Sequence, residues 1–364
     1  MSMDFYEDFA RNILFKLDPE FVHDLTLKAA AFAGANKKFF SFLKNFYYFE
    51  DEVLNVSVNG LSFKTPLGLS AGFDKNGETL DFFSMTAFGF VEVGSVTLNA
   101  FQGNKKPRLF RIPEEKSVLV NLGLPNQGAE KVVERLKRVN SIPFGVSVAS
   151  MNEVFESDFE RAESFLDCYN IVKSVGGYHV LNVSCPNVSK GRFESPEQVN
   201  TLLKIFSRKC NVEKPLFLKF SVDLKESDVE EIVKIVKRFS FVNGFIVGNL
   251  TKEMTRLKKH SKLGGVVEKL GGSGGLSGGS VKVKSDELIK MFYQESGKTV
   301  IGVGGVFSGE DAYTKIRNGA SLVEGITGMI YRGPGFAKKV CMELADLVRE
   351  DGFESVSEAV GVDA

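Results

Sequence analysis

Residues 178–187, Tyr-His-Val-Leu-Asn-Val-Ser-Cys-Pro-Asn, open as a β-strand and close as a polar tip. Val180, Leu181 and Val183 favour extended structure, and Gly176-Gly177 breaks the segment before them. Pro186 biases Cys185 away from helical geometry, so the thiol belongs to a strand end. Asn182 and Asn187 can both donate and accept hydrogen bonds beside that thiol, which suits a small planar amide-bearing substrate. A buried structural cysteine flanked by turn-forming asparagines reads equally well from this stretch alone.

Working outward, the same kind of run recurs. Short apolar segments lie at 67–71, 90–96, 144–149, 216–221, 244–248, 300–304 and 321–326. Helical patterns at 128–139, 158–175, 226–239 and 310–318 separate many of them. Eight strands in β/α alternation, each apolar enough to be covered on both faces, predict a (β/α)₈ TIM barrel. A doubly wound sheet is the alternative, and eight regular units favour closure. Before the first barrel strand, Asn59-Gly60 between alternating segments predicts a β-hairpin over 53–66.

Residues 4–47 read as two amphipathic helices broken at Asp18-Pro19, with Phe5, Phe9, Ile13 and Leu17 on one stripe. Their apolar residues exceed what one packing face needs, so they either pack on the barrel or meet lipid or an apolar co-substrate. The expected division is a helical extension, 1–48, and a barrel, 49–364.

The chain has 364 residues, with 46 basic and 46 acidic side chains in balance, so no global field suits nucleic acid. Its four cysteines, Cys168, Cys185, Cys210 and Cys341, lack metal or disulfide spacing, which fits a reducing cytosol. Neither a signal peptide nor an apolar run long enough to span a bilayer is evident.

In a barrel of this kind chemistry gathers where strands end. Those ends carry Ala71-Gly72-Phe73-Asp74-Lys75, Gly94-Ser95-Val96-Thr97, the Asn182–Asn187 tip and Gly248-Asn249. Lys219 interrupts an apolar strand, a costly burial unless an anion or polar cofactor meets it. Gly302-Val303-Gly304-Gly305 and Thr327-Gly328 end the last two strands, the usual phosphate site of the fold. The glycine-dense segment 264–280 suits a second backbone cradle for the same phosphate. Residues 188–200 follow the thiol directly and are expected to form a mobile lid.

With these residues in view, the chain resembles the dihydroorotate dehydrogenases along nearly its whole length. Leu14–Glu20 with His23 is similar to the N-terminal extension of the quinone-linked, membrane-associated class 2. Phe63–Lys75, Gly103–Arg111, Gly274–Gly278, Ile301–Val306 and Gly319–Val323 are similar to other segments of that class. The resemblance implies an FMN enzyme that oxidises (S)-dihydroorotate to orotate in de novo pyrimidine synthesis and passes electrons to a quinone. It implies FMN contacts at Ala71, Gly72, Lys75, Thr97, Ser147, Asn182, Lys219, Gly275, Gly304, Gly305, Thr327 and Gly328. Lys75, Asn121, Asn182, Asn187 and Asn249 would hold the substrate. Cys185 would take the C5 proton as hydride leaves C6 for flavin N5, and Lys219 would stabilise the reduced ring. His23 and Arg108 would line a quinone tunnel, and the enzyme would sit in the cytoplasm against the inner face of the cell membrane.

The departures are specific. Cys185 stands where class 2 carries serine, as in the soluble class 1. Ser147 replaces an asparagine, Ile326 a tyrosine and Leu250 a threonine. The family's substrate asparagine aligns with Val120, which puts Asn121 one place late. These changes leave two other readings open, an FMN reductase of another unsaturated cyclic amide and a non-catalytic flavin-binding barrel.

Overall fold

A computed structural model describes residues 5–187, 191–254, 264–270 and 273–364. The hairpin comprises β1 (Val56–Val58) and β2 (Leu61–Phe63), paired antiparallel with Val58 opposite Leu61. Asn59 and Gly60 both take positive φ, 50° and 79°, as a two-residue turn matched to strand twist requires.

Eight parallel strands then close a barrel. They are β3 (Leu67–Leu69), β4 (Phe90–Val96), β7 (Phe144–Val148), β8 (Tyr178–Asn182), β9 (Leu216–Phe220), β10 (Val242–Val247), β12 (Thr299–Val303) and β13 (Leu322–Gly325). Every predicted barrel strand is present, and the last pairs with the first through Glu324 opposite Gly68. All residues of β4, β8 and β9 are buried, because helices cover the outer face while side chains fill the inside. Gly68 and Gly145 make room for that filling: a Cβ on either would run into the Phe90 or Tyr178 ring.

A second sheet was not foreseen. The strands β5 (Leu109–Ile112), β6 (Ser117–Val120) and β11 (Gly275–Gly278) form it antiparallel, with β6 in the centre. It lies on the cavity side of the barrel, since Leu109, Val118, Val120 and Ser277 all face the main cavity.

The N-terminal extension is helical, but its second helix is divided. A π-helix (Phe5–Ala10) runs into α1 (Arg11–Leu14), followed by α2 (Pro19–Ala35) and α3 (Lys37–Tyr47). Asp18 caps α2 by accepting from the Phe21 N–H at 2.8 Å. Asn36 then leaves helical geometry and caps α3, accepting from the Phe39 N–H at 3.2 Å. A good capping residue inside a long helical pattern permits this break. The Tyr6 hydroxyl and an Arg11 guanidinium N–H donate to the carbonyls of Ile330 and Tyr331, tying the extension to the barrel.

Residues 188–190 of the expected lid lie outside the described residues. Its remainder is anchored. Phe193 is fully buried and stacks on Phe165, Arg192 pairs with Asp223 at 2.7 Å, and residues 196–200 open a helix with reciprocal Ser195–Gln198 capping. Pro196, inside the segment expected to be a lid, is the first residue of that helix.

Candidate active site

A cavity of about 1210 Å³, mouth included, opens at the C-terminal ends of the barrel strands. Ala71, Gly72, Lys75, Asn182, Cys185, Asn187, Asn249, Gly304, Gly305, Thr327, Gly328 and His23 line it. Strand-end chemistry drawn from distant parts of the chain therefore converges on one space.

One hydrogen-bonded chain orients its amides. The Asn249 amide donates to Ser184 Oγ at 2.8 Å, and Ser184 donates to Asn182 Oδ1 at 3.0 Å. The Asn182 amide donates to Ser95 Oγ at 2.8 Å, which lies 2.9 Å from Ser147 Oγ. Asn187 is different. Its Oδ1 is buried and has no hydrogen-bond partner among the described residues, a costly arrangement unless a ligand donor meets it.

Cys185 is buried, and desolvation pushes its thiol up to about 11, while Arg161, Arg192 and Lys252 pull the other way. The thiol is therefore protonated at neutral pH. Lys75 donates to the Gly72 carbonyl at 2.6 Å, and burial lowers its amine to about 8. The glycines Gly304 and Gly305 take φ of 102° and 75°. A Cβ at Gly304 would approach the Gly248 carbonyl, and one at Gly328 the Val306 carbonyl, so both sites need bare backbone.

Several expected contacts lie elsewhere. Lys219 is 2% exposed and is not on the cavity wall. Its amine is held at the barrel floor by Glu92, Glu324 and Ser70, of which Ser70 and Glu324 do face the cavity. Ser147 sits behind Ser95, and Thr97 is buried against Asn126, donating to the Asn99 carbonyl. Gly275 packs under Leu250 and Pro186, leaving Ser277 and Gly278 to line the space. Val120 faces the cavity, while Asn121 turns away and accepts from the Asn104 amide at 3.0 Å. Arg108 is bound by Glu20 at 2.7 Å and by the carbonyls of Gln102 and Asn104.

A second, largely apolar cavity of about 1310 Å³, mouth included, lies between the N-terminal helices and the barrel. Arg111, not Arg108, lines it. His23, Phe73, Leu109, Val118 and Ile330 face both cavities, so the two spaces meet at these residues.

Residues 53–348 match the family model of dihydroorotate dehydrogenase. The chain belongs to the dihydroorotate dehydrogenase family. It is 33% identical over 364 residues to the dihydroorotate dehydrogenase (quinone) of Trichodesmium erythraeum, with 95% of each chain covered. The Haloarcula marismortui protein of the same name is 38% identical over 319 residues, covering 87% of this chain and 88% of its own. Eimeria tenella DHODH, crystallised with ferulenol, superposes with a TM-score of 0.81 at 27% identity, covering 95% of this chain and 96% of that one.

Four further residues of this family member's site were missed from sequence. Ser95 lay within the quoted strand end, and Arg111 follows Leu109 at the two-residue spacing of a strand face. Glu92 and Glu324 interrupt apolar strands as Lys219 does, and a buried ammonium demands such partners.

Proposed function

We propose that this chain is an FMN-dependent, quinone-linked dihydroorotate dehydrogenase that converts (S)-dihydroorotate to orotate in de novo pyrimidine synthesis. The observation that carries the proposal is the junction of two unlike cavities at His23 and Phe73. A cavity whose walls carry amides, a lysine and a thiol among apolar side chains suits the pyrimidine, and a more uniformly apolar chamber beside it suits a quinone.

The residues present fit FMN. Gly304, Gly305, Thr327 and Gly328 offer close backbone approach for its phosphate, and Ala71, Gly72, Lys75, Asn182 and Ser95 face the remaining space. FMN bound there would supply the redox chemistry, as acceptor for the substrate's hydride and donor to the quinone.

Cys185 acts as the base that takes the C5 proton. Asn182, Asn187 and Asn249 hold the amide and carboxylate edges, Asn187 through its unpartnered Oδ1. Lys75 offers a nearby cation to an anionic substrate. Lys219 acts through Glu324 and Ser70. His23 and Arg111 face the quinone chamber.

Residues 1–48 serve as the quinone-facing extension and 49–364 as the barrel. Phe5, Phe9, Ile13, Leu17, Phe21, Leu25, Phe32, Phe39, Phe42 and Phe46 are all exposed on the extension. That concentration supports peripheral contact with the cytoplasmic face of a membrane. No helix among the described residues is long and apolar enough to cross one.

The deciding experiment is anaerobic. Dihydroorotate should bleach the yellow protein, and a ubiquinone or menaquinone analogue should recolour it. A second reading, oxidation or reduction of a less polar cyclic amide, draws on the apolar Val120 and Leu250 walls. Yellow protein that dihydroorotate leaves unbleached would favour it.

A further inference from the structure

Beneath the cavity, the barrel interior holds an uneven set of charges. Lys219 Nζ donates to Glu92 Oε1 at 2.7 Å, to Glu324 Oε2 at 3.0 Å and to Ser70 Oγ at 3.0 Å, which uses all three of its protons. Glu92 and Glu324 are both 0% exposed and converge on the same Lys219 amine. Each keeps one oxygen, Glu92 Oε2 and Glu324 Oε1, without a partner among the described residues. Two buried carboxylates facing one ammonium leave an uncompensated negative charge, and adjacent carboxylates do not both ionise there.

We propose that Glu92 and Glu324 share one proton, and that Glu324 is the positioning residue through which the pair sets the charge met by the cavity's occupant. Glu324 is the member on the cavity wall. With the proton in place, one carboxylate balances Lys219 and the floor is neutral. Without it, the floor carries one negative charge.

Among the described residues, the register neighbours of the pair include no other acid. Ser70 follows β3, Tyr178 comes from β8 and Lys219 from β9. The register neighbours on β7, β10 and β12 are Gly145, Ile246 and Val303, none of which titrates. Tyr178 is held neutral, its hydroxyl pushed well up by burial and by the two glutamates. Burial, followed by the neighbouring Glu324, raises Glu92 to about 8. Burial alone would lower Lys219, but Glu324 and Glu92 raise it, so it stays charged.

The pair would also report on the cofactor, a consequence that rests on the FMN proposal. Negative charge on a reduced ring raises the proton affinity of the pair. From about pH 8 up to the pair's raised value in the reduced state, two-electron reduction would therefore draw up to one extra proton from solvent into the pair. That makes reduction tenfold harder per pH unit, or about 30 mV per unit for a two-electron couple.

Infrared difference spectroscopy of the protein as purified tests the proton directly. Wild type minus Glu92→Gln should show the carbonyl stretch of a protonated carboxyl, shifted in D₂O and lost as pH rises through about 8. Glu324→Gln should remove the same band, because a single remaining glutamate facing Lys219 ionises. The difference also sets aside Glu194, another buried acid whose pKa is raised by desolvation. A flat difference spectrum well below pH 8 overturns the proposal, whatever the substrate. Dithionite titration with FMN bound should then show a steeper pH slope of the midpoint potential above 8 in wild type but not in Glu92→Gln. Identical slopes overturn the link to the cavity. Failure to bind FMN would sink the cofactor assignment and leave the infrared result standing.

Discussion

The imidazole of His23 stands edge-on to the Phe73 ring, with centroids 5.1 Å apart at an interplanar angle of 86°. Both side chains face both cavities, so this pair stands between the amide-bearing site and the more apolar chamber. Burial, reinforced by the charge of Lys75, lowers His23 to about 3, and the ring is neutral at physiological pH.

That shift fixes a pH dependence. The folded-state value lies below the unfolded value, so the unfolded chain takes up the proton first. The stabilisation is complete above the unfolded value of 6.5 and declines as pH falls towards 3. The melting temperature should drop between pH 7 and about 5, and drop less in His23→Gln. Equal pH slopes for the two proteins would remove His23 as the cause.

Cys185 makes an opposite-facing prediction. Burial holds the thiol near 11, so the thiolate fraction grows about tenfold per pH unit through the neutral and mildly alkaline range. Stopped-flow flavin reduction by dihydroorotate should follow that slope until substrate or protein fails. Cys185→Ala should slow the step by roughly 10²–10⁴-fold while leaving flavin binding intact. Full turnover in the alanine variant would eliminate the base assignment.

Substitution of Arg111 should separate the half-reactions. Its guanidinium donates to the Leu17 carbonyl at 2.9 Å and lies over the Phe15 ring at 4.7 Å, holding the turn between α1 and α2 while facing the apolar chamber. Arg111→Met should raise the quinone KM and slow flavin reoxidation, with reduction by dihydroorotate unchanged within about twofold. Equal losses in both half-reactions would mean that Arg111 supports the barrel and not the quinone route.

How much of this was legible follows from the range of each interaction. The Asn59-Gly60 turn and the eight apolar runs are local signals, and each became the expected element. Lys219 was correctly marked as an anomaly within an apolar strand. Its partners, Glu92 and Glu324, lie over a hundred residues away in either direction, and the sequence did not say that they would occupy its amine. The position of Asn121 was decided the same way. Val120 pairs with both Leu109 and Gly275, and the Gly275 contact reaches across 155 residues to set which side chain faces the cavity. The Asn36 break shows the converse, a local capping signal that a reading of 4–47 as only two helices passes over.

Asn104 carries the last prediction. Its amide donates to the Asn121 carbonyl at 3.2 Å, to Asn121 Oδ1 at 3.0 Å and to the Asn187 carbonyl at 3.1 Å. It therefore ties the strand end after β6 to the residue whose Oδ1 waits unpartnered at the cavity. Asn104→Ala removes the donor, takes two contacts from Asn121 and leaves the Asn187 carbonyl only the longer 3.4 Å bond from the Asn152 amide, a change worth about 1–3 kcal/mol. Because Asn104 does not line the cavity, the loss should appear as misplacement of Asn187. The dihydroorotate KM should rise roughly tenfold or more, with FMN affinity and quinone reoxidation little changed. If Asn104→Ala lowers the melting temperature but leaves that KM alone, Asn104 holds the loop without positioning substrate. Asn187→Ala should then still raise KM, because it deletes the unpartnered acceptor itself.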